Sequence, residues 1–489
     1  METIKVDALV VGGGAGGFGA VYRLAKNKKK VAVVDRFDDF GGTAVFSGVN
    51  CYEPGVSSPG VHRKLAKILQ KSGDAWVCKF VPNINVKNLN KDDEYNLDWK
   101  KHNLAIRPFV VSTGFSKEKY SSTEKRCYIT NNQGRFYRRF TFKPKAMVEA
   151  MNTILSPYSK YVTRFFNGKF VSLEKDGQRI KSVTINCKGK EYKIIADYFI
   201  DSTSDAVLAR DFGIEVSLGA EKKAVYNEAS AKCRCKFSVN GVSLIFVIKK
   251  TDDENFITKI PSQYKDVDIS LWKEKFLYKN KIKAFFNVYP DLSINVNMLP
   301  TMDGADYFEL NDKAKEVCLA RLYAFWNYLQ TKKGLKGFDI VHIFEEVGVR
   351  ESYRVKGKYL LTENDVRKGF LHQDKKEEII AYSDHALDVH GKNALGAEID
   401  FPFGIPLSCT ELNECENLYI ASKCISLSHI AGSSARLTRT IMAIGEGVGE
   451  AVALRLNKKP INYKKLRHSL KLNKYERFLL KEKSIAEKE

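Results

Sequence analysis

Six residues, Gly12-Gly13-Gly14-Ala15-Gly16-Gly17, stand between an apolar run and a helix-forming stretch. Val6 to Val11 reads as a short buried strand. About Ala15 to Asn27 reads as a helix, with Ala20, Leu24 and Ala25 as packing residues. Val31 to Asp35 reads as a second strand that ends in an acid. Gly12, Gly14 and Gly17 satisfy GxGxxG. Gly12 permits the tight turn, Gly14 lets backbone approach a pyrophosphate, and Gly17 lets the helix pack closely on the sheet. The free N–H groups at the helix start, at Ala15 and Gly16, favour phosphate. Asp35 stands where a ribose hydroxyl pair would be held. A lone glycine motif says little, and a ligand-free glycine turn is the alternative. The order strand, turn, helix, strand, acid points to a dinucleotide.

The rest of the chain narrows the class. Its 489 residues suit two or three domains, and its 44% hydrophobic and 28% charged content excludes bulk disorder. No stretch approaches the roughly 18 apolar residues of a membrane span. The N-terminus lacks the three regions of a signal peptide, so a cytoplasmic protein is expected. Ten scattered cysteines include no CxxC pair, and no metal site is expected. Cys233-Arg-Cys235 is the closest pair, read as ordinary thiols, with a metal or disulfide role as the alternative. The net charge of +22 raises nucleic acid as a partner. Lysine spread along the whole chain fits a solvated surface better, so nucleic acid ranks low. Acidic partners and anionic substrates rank next.

Asp35-Arg36 followed by Gly41-Gly42-Thr43 resembles the segment after the ribose-binding acid in two-dinucleotide-binding-domain flavoproteins. Asp201-Ser202-Thr203-Ser204-Asp205, after an apolar strand ending at Ile200, looks like the Asp-x-Thr-Gly-Asp segment of FAD-dependent oxidoreductases, with Ser204 in place of the glycine. A third segment, Glu416 to Ser426, leads through His429–Arg436, read as a polar loop, into a long helix from about Thr438 to Leu456. Together with Gly48–Gly55 and Arg350-Glu351-Ser352-Tyr353-Arg354…Gly357, these resemble a broad FAD-dependent oxidoreductase family, remotely similar to the succinate dehydrogenase and fumarate reductase flavoproteins. The resemblance implies FAD, and because the pattern around His62 does not match that of a flavin-linked histidine, noncovalent binding is expected. It also implies an α/β fold, with a discontinuous Rossmann-like FAD-binding domain and an inserted α+β substrate domain. The expected division is 1–80, 143–215 and 405–463 for the FAD domain, 81–142 for an insertion, 216–404 for the substrate domain, and 464–489 for a basic tail. Disulfide reductases of the glutathione reductase type carry two cysteines where this chain has Ala44 and Val49, so a dithiol mechanism is not expected.

A flavin dehydrogenase needs a proton carrier and usually a cation for an anionic substrate. His429 is the first candidate acid/base, with a plain loop residue as the alternative. Arg436 and Arg439 are candidate carboxylate clamps, or anchors for acidic residues. Arg350, Tyr353 and Arg354 form a second cationic group, for substrate or for an internal ion pair. Cys51 is a further catalytic candidate. Asp384-His385 and Asp388-Val-His390 are read chiefly as surface, with a metal-like group on a strand as the alternative. His62 does not match the pattern of a flavin-linked histidine. The expected reaction is hydride transfer between FAD and a small, anionic organic substrate. An RNA-acting flavoprotein and a non-catalytic flavin-bound sensor or scaffold are the alternatives. Leu466, Leu470, Phe478 and Leu479 suggest that the tail docks as a helix. The motifs name no substrate, electron acceptor or oligomeric state.

Overall fold

The computed structural model describes residues 1–52, 59–79, 128–131, 134–233, 237–264, 284–298, 300–391, 394–397 and 399–488. Glu53-Pro54-Gly55, most of the 81–142 insertion, and Cys235 lie outside them. Among the described residues the central sheet has seven strands. Val162–Phe166, Val31–Asp35, Glu2–Val11 and Lys190–Asp201 run parallel in that order, and Leu418–Ile420 adds a fifth parallel strand beside Lys190–Asp201. Ala8-Leu9-Val10-Val11 is buried throughout, as expected of a parallel strand covered on both faces.

Lys190–Asp201 is the branch point. Its first half pairs antiparallel with Arg179–Cys187, which pairs in turn with Gly168–Asp176. Its last three residues pair with Leu418–Ile420. The register aligns the strand ends: Val11 stands beside both Val34 and Asp201, and Asp201 beside Ile420. Backbone bonds carry the ladder one step further, from Gly12 N to Val34 O (2.7 Å), Ser202 N to Val11 O (2.8 Å) and Ala421 N to Asp201 O (2.8 Å). The loops that begin with Gly12, Ser202 and Ala421 therefore lie in one row at the carboxyl ends of the strands. Open α/β sheets bind ligands there.

Helix Ala15–Lys26 packs against Thr438–Leu456 with almost no side chain between them. A Cβ on Gly16 would overlap Ala421 O, one on Gly445 would overlap Gly16 O, and one on Gly19 would overlap Met442 O. The glycines of the first motif and the small residues of the last helix are two sides of one contact.

A second core, from Val242 to Val347, joins a four-stranded antiparallel sheet to helix Ala314–Lys332. Leu322, Phe325, Trp326 and Leu329 fill it. Apolar residues between Val355 and Phe403, inside the range assigned above to the substrate domain, pack on the first core instead. The tail forms helices Tyr463–Ser469 and Leu472–Lys488. It docks through Leu466, Leu470 and Leu479, and Arg23 ties it down by donating to Ser469 O at 2.7 Å.

Candidate functional site

A cleft of about 1410 Å³ opens above the strand ends. That exceeds the ~300–1,000 Å³ of a drug-sized pocket. Its walls bring together Gly12, Gly14, Ala15, Gly16, Asp35, Arg36, Gly41, Gly42, Thr43, Ser202, Thr203 and Asp205. Gly17 lies just beneath, where its Cβ would overlap Gly12 O.

The cradle is made of backbone. No side chain caps helix Ala15–Lys26, whose first N–H groups have no partner within the helix. Gly41 N donates to Gly13 O at 3.0 Å, which clips the second glycine turn against the first. A Cβ on Gly42 would come within 2.7 Å of the Gly14 Cα. Asp35 accepts from Gly13 N and from Phe37 N (3.0 Å), and its oxygens keep lone pairs for a hydroxyl. Burial raises its carboxyl, against the pull of those bonds. Asp201 is buried and structural. It accepts from Thr203 N (3.0 Å) and Thr203 Oγ1 (2.6 Å), and it caps the next helix through Leu208 N (2.8 Å). That leaves Asp205 in the cleft wall, bonded to Ser352 Oγ at 2.6 Å. Uncapped N–H groups, a glycine floor and a ribose-level acid fit a dinucleotide such as FAD.

The wall also carries the charged side chains. Arg436 donates to Asp388 Oδ2 at 2.5 Å, and His390 Nε2 lies 2.9 Å from the same oxygen. His385 Nε2 lies 3.5 Å from it. Burial alone would raise the Asp388 carboxyl, but the two histidines and Arg436 hold it far below the usual range. Burial pushes the His390 imidazole down to about 4, against the pull of Asp388. His385, Asp388 and His390, read above as surface, thus line the cleft. Strand Leu387–Val389 pairs with Leu395–Ala397 and is held by the short helix His429–Ser434 through Asp388 N and Ser433 Oγ (3.0 Å). Alternation of charge in the sequence was the available signal. It does not say which face is covered.

Arg350, Tyr353, Arg439 and Cys51 line the same cleft. Arg350 donates to Gly241 O (2.8 Å) and Ser243 Oγ (3.1 Å). Tyr353 lies under the Arg210 guanidinium at 4.0 Å. Arg439 is already paired with Asp384. Helix Thr438–Leu456 starts at the cleft, with no side-chain cap.

His429 and Arg354 are not brought to the cleft. His429 opens a helix, not a loop, because Ser428 caps it by accepting from Ala431 N. Its Nδ1 meets Glu351 at 2.8 and 2.9 Å. Arg354 pairs with Glu351 and, at 2.5 Å, with Glu221. Burial would raise Glu351, but Arg354 and His429 outweigh it and keep the carboxylate charged. Within the Arg350–Arg354 motif, Arg350 lines the cleft while Glu351 and Arg354 turn inward. His62 is buried in helix Val61–Ser72, 6.3 Å from the Tyr52 ring. Among the described residues, no three His, Cys, Asp or Glu side chains are placed to hold a metal ion, and no helix is long and apolar enough to cross a membrane.

Three solved structures resemble the chain. A geranylgeranyl bacteriochlorophyll reductase-like protein from Thermoplasma acidophilum is 11% identical over 99% of this chain and 88% of its own, with a TM-score of 0.42. A flavoprotein/dehydrogenase from Cytophaga hutchinsonii is 14% identical over 95% and 81%, with a TM-score of 0.43. An L-proline dehydrogenase from P. horikoshii is 12% identical over 94% and 95%, with a TM-score of 0.40. Likenesses this distant carry no assignment by themselves. The family model described as FAD dependent oxidoreductase matches residues 7–470, nearly the whole chain. This chain therefore belongs to the FAD dependent oxidoreductase family and is an FAD-dependent enzyme.

Proposed function

We propose that the enzyme holds FAD noncovalently and exchanges hydride with a small organic anion. The observation that carries this reading is Arg436. It lies in the cleft wall with one terminal nitrogen, Nη2, on Asp388, while its other terminal nitrogen, Nη1, has no partner among the described residues. A substrate carboxylate is the acceptor that this cation would take, with Arg350 as a second clamp. Gly12–Gly17, Asp35, Gly41–Thr43 and Asp205 would hold the FAD, which accepts or donates the hydride when bound.

The proton is handled by side chains of this chain. Asp388 is ionised, so the neutral His390 donates Nε2–H to it. That leaves Nδ1 of His390 as a proton acceptor, fixed in orientation by the carboxylate. A bound anion would raise the His390 pKa from about 4 toward neutrality, where proton transfer is most effective. Cys51 and Tyr353 shape the same cavity.

Anaerobic mixing with hydroxy acids, unsaturated acids, amines and nicotinamides tests the substrate class. Bleaching of the flavin by an anionic compound is expected, and bleaching only by neutral or cationic compounds would reject the anion. Denaturation should release FAD into solution; flavin retained on the polypeptide would reject noncovalent binding. Arg436→Gln should raise KM for the anion more than it lowers kcat.

A further inference from the structure

Behind the cleft wall lies a second cavity of about 10 Å³. One water needs roughly 10–15 Å³ of such space. Arg350 and Lys423 line both cavity and cleft, whereas Glu351, Arg354, His429 and Gly432 line the cavity alone. Two polar groups there have capacity left. Lys423 Nζ donates to Val349 O at 2.6 Å, its one hydrogen bond among the described residues, and an ammonium has three donors. His429 commits Nδ1 to Glu351, and its Nε2 has no partner among the described residues. A buried water needs two to four polar partners.

We propose that one internal water in this cavity joins Lys423 to His429, and so completes a proton route between the cleft and the buried His429–Glu351 pair. The route rests on the flavin reading above, because the acceptor in the cleft would be the reduced flavin. A proton leaves Lys423 Nζ for that acceptor, breaking an N–H bond and leaving a neutral amine. The water protonates the amine and takes the Nε2 proton when His429 carries its second proton. Nδ1–H stays on Glu351, whose charge Arg354 continues to balance. One proton moves and no electrons do; the reverse sequence returns it. Burial lowers the Lys423 pKa, which eases release, while Cys424, Asp205 and Glu351 oppose that and Arg436 adds to it.

Gly432→Ala tests the route without removing a charged group. A Cβ there meets Arg354 Cδ at 3.8 Å and Leu427 Cδ1 at 3.9 Å, ordinary contacts, so the variant should fold. Gly432 lines a cavity with room for barely one water, so the added methyl should leave too little space for it. Holoprotein is flash-photoreduced, and the absorbance change that reports proton arrival at the flavin is followed. Gly432→Ala and His429→Gln should each slow it about 100-fold, the lower end of what a positioned proton carrier contributes. Flavin content and melting temperature of Gly432→Ala should stay at wild-type values. Proton arrival at the wild-type rate in Gly432→Ala overturns the route while leaving the flavin reading intact. Protein that releases no FAD on denaturation overturns the flavin reading, and the route with it.

Discussion

The cleft has two kinds of wall. Around Gly12–Gly17 and Gly41–Thr43 it is backbone, shaped chiefly by glycines. Around Asp388, His390, Arg436 and Arg350 it is charged side chain, drawn from segments far apart in the sequence. The first wall depends on how closely main chains approach. The second depends on hydrogen bonds among side chains, to Asp388 for His390 and Arg436 and to Ser243 for Arg350. They should therefore fail differently: substitutions in the first should abolish the fold or FAD retention, and substitutions in the second should spare both and remove turnover.

The largest expected effect is at the glycine contact. Gly16→Ala sets a Cβ against Ala421 O, and neither is the end of a flexible side chain. A loss of about 3 kcal/mol or more is expected, with little flavin in the purified protein. A melt and the ratio of flavin to protein absorbance check it. Wild-type flavin content would dissolve the distinction between the two walls.

Asp388→Asn comes next. It removes the anion that orients His390 and holds Arg436. Turnover should fall roughly 100-fold or more with FAD content unchanged. If flavin is lost along with turnover, the second wall serves the cofactor as well.

Asp35→Asn should weaken FAD by about 1.5–3 kcal/mol, the worth of hydrogen bonds to a charged group. Titration of apoprotein with FAD measures it.

Stability against pH probes the second wall through His390. His390 is lowered from 6.5 to about 4, so the unfolded chain binds the proton that the folded chain refuses. Its contribution is neutral above pH 6.5 and turns destabilising as the pH falls toward 4, with a slope of at most about 1.4 kcal/mol per pH unit. His390→Gln should flatten that slope in denaturant titrations. The smallest effect is at the rim, where Arg36 meets Glu346 at 2.6 Å with the arginine side chain 58% exposed. Arg36→Gln should cost under about 1 kcal/mol.

The backbone wall was legible because its signals are local. Gly12 to Asp35 place strand, turn, helix and acid within one unit, and glycine there has few other uses. The helix from Thr438 was also legible in the sequence. The side-chain wall was not. His429 and His390 look alike in sequence, each a polar residue near a strand end. Burial separates them, because one faces Glu351 behind the wall and the other faces Asp388 in it.

By itself, the sequence determined that this chain folds around a dinucleotide and turns its strand ends toward it. Backbone geometry is set by residues adjacent in the chain, so the glycines within their order of strand, turn, helix, strand and acid were enough. Tertiary structure alone decided which charges meet the cleft. That depends on the register of Leu387–Val389, on the Ser428-capped helix, and on the inward turn of Glu351 and Arg354 beside Arg350. A charge is placed by its partners, and these partners come from segments that only folding brings together.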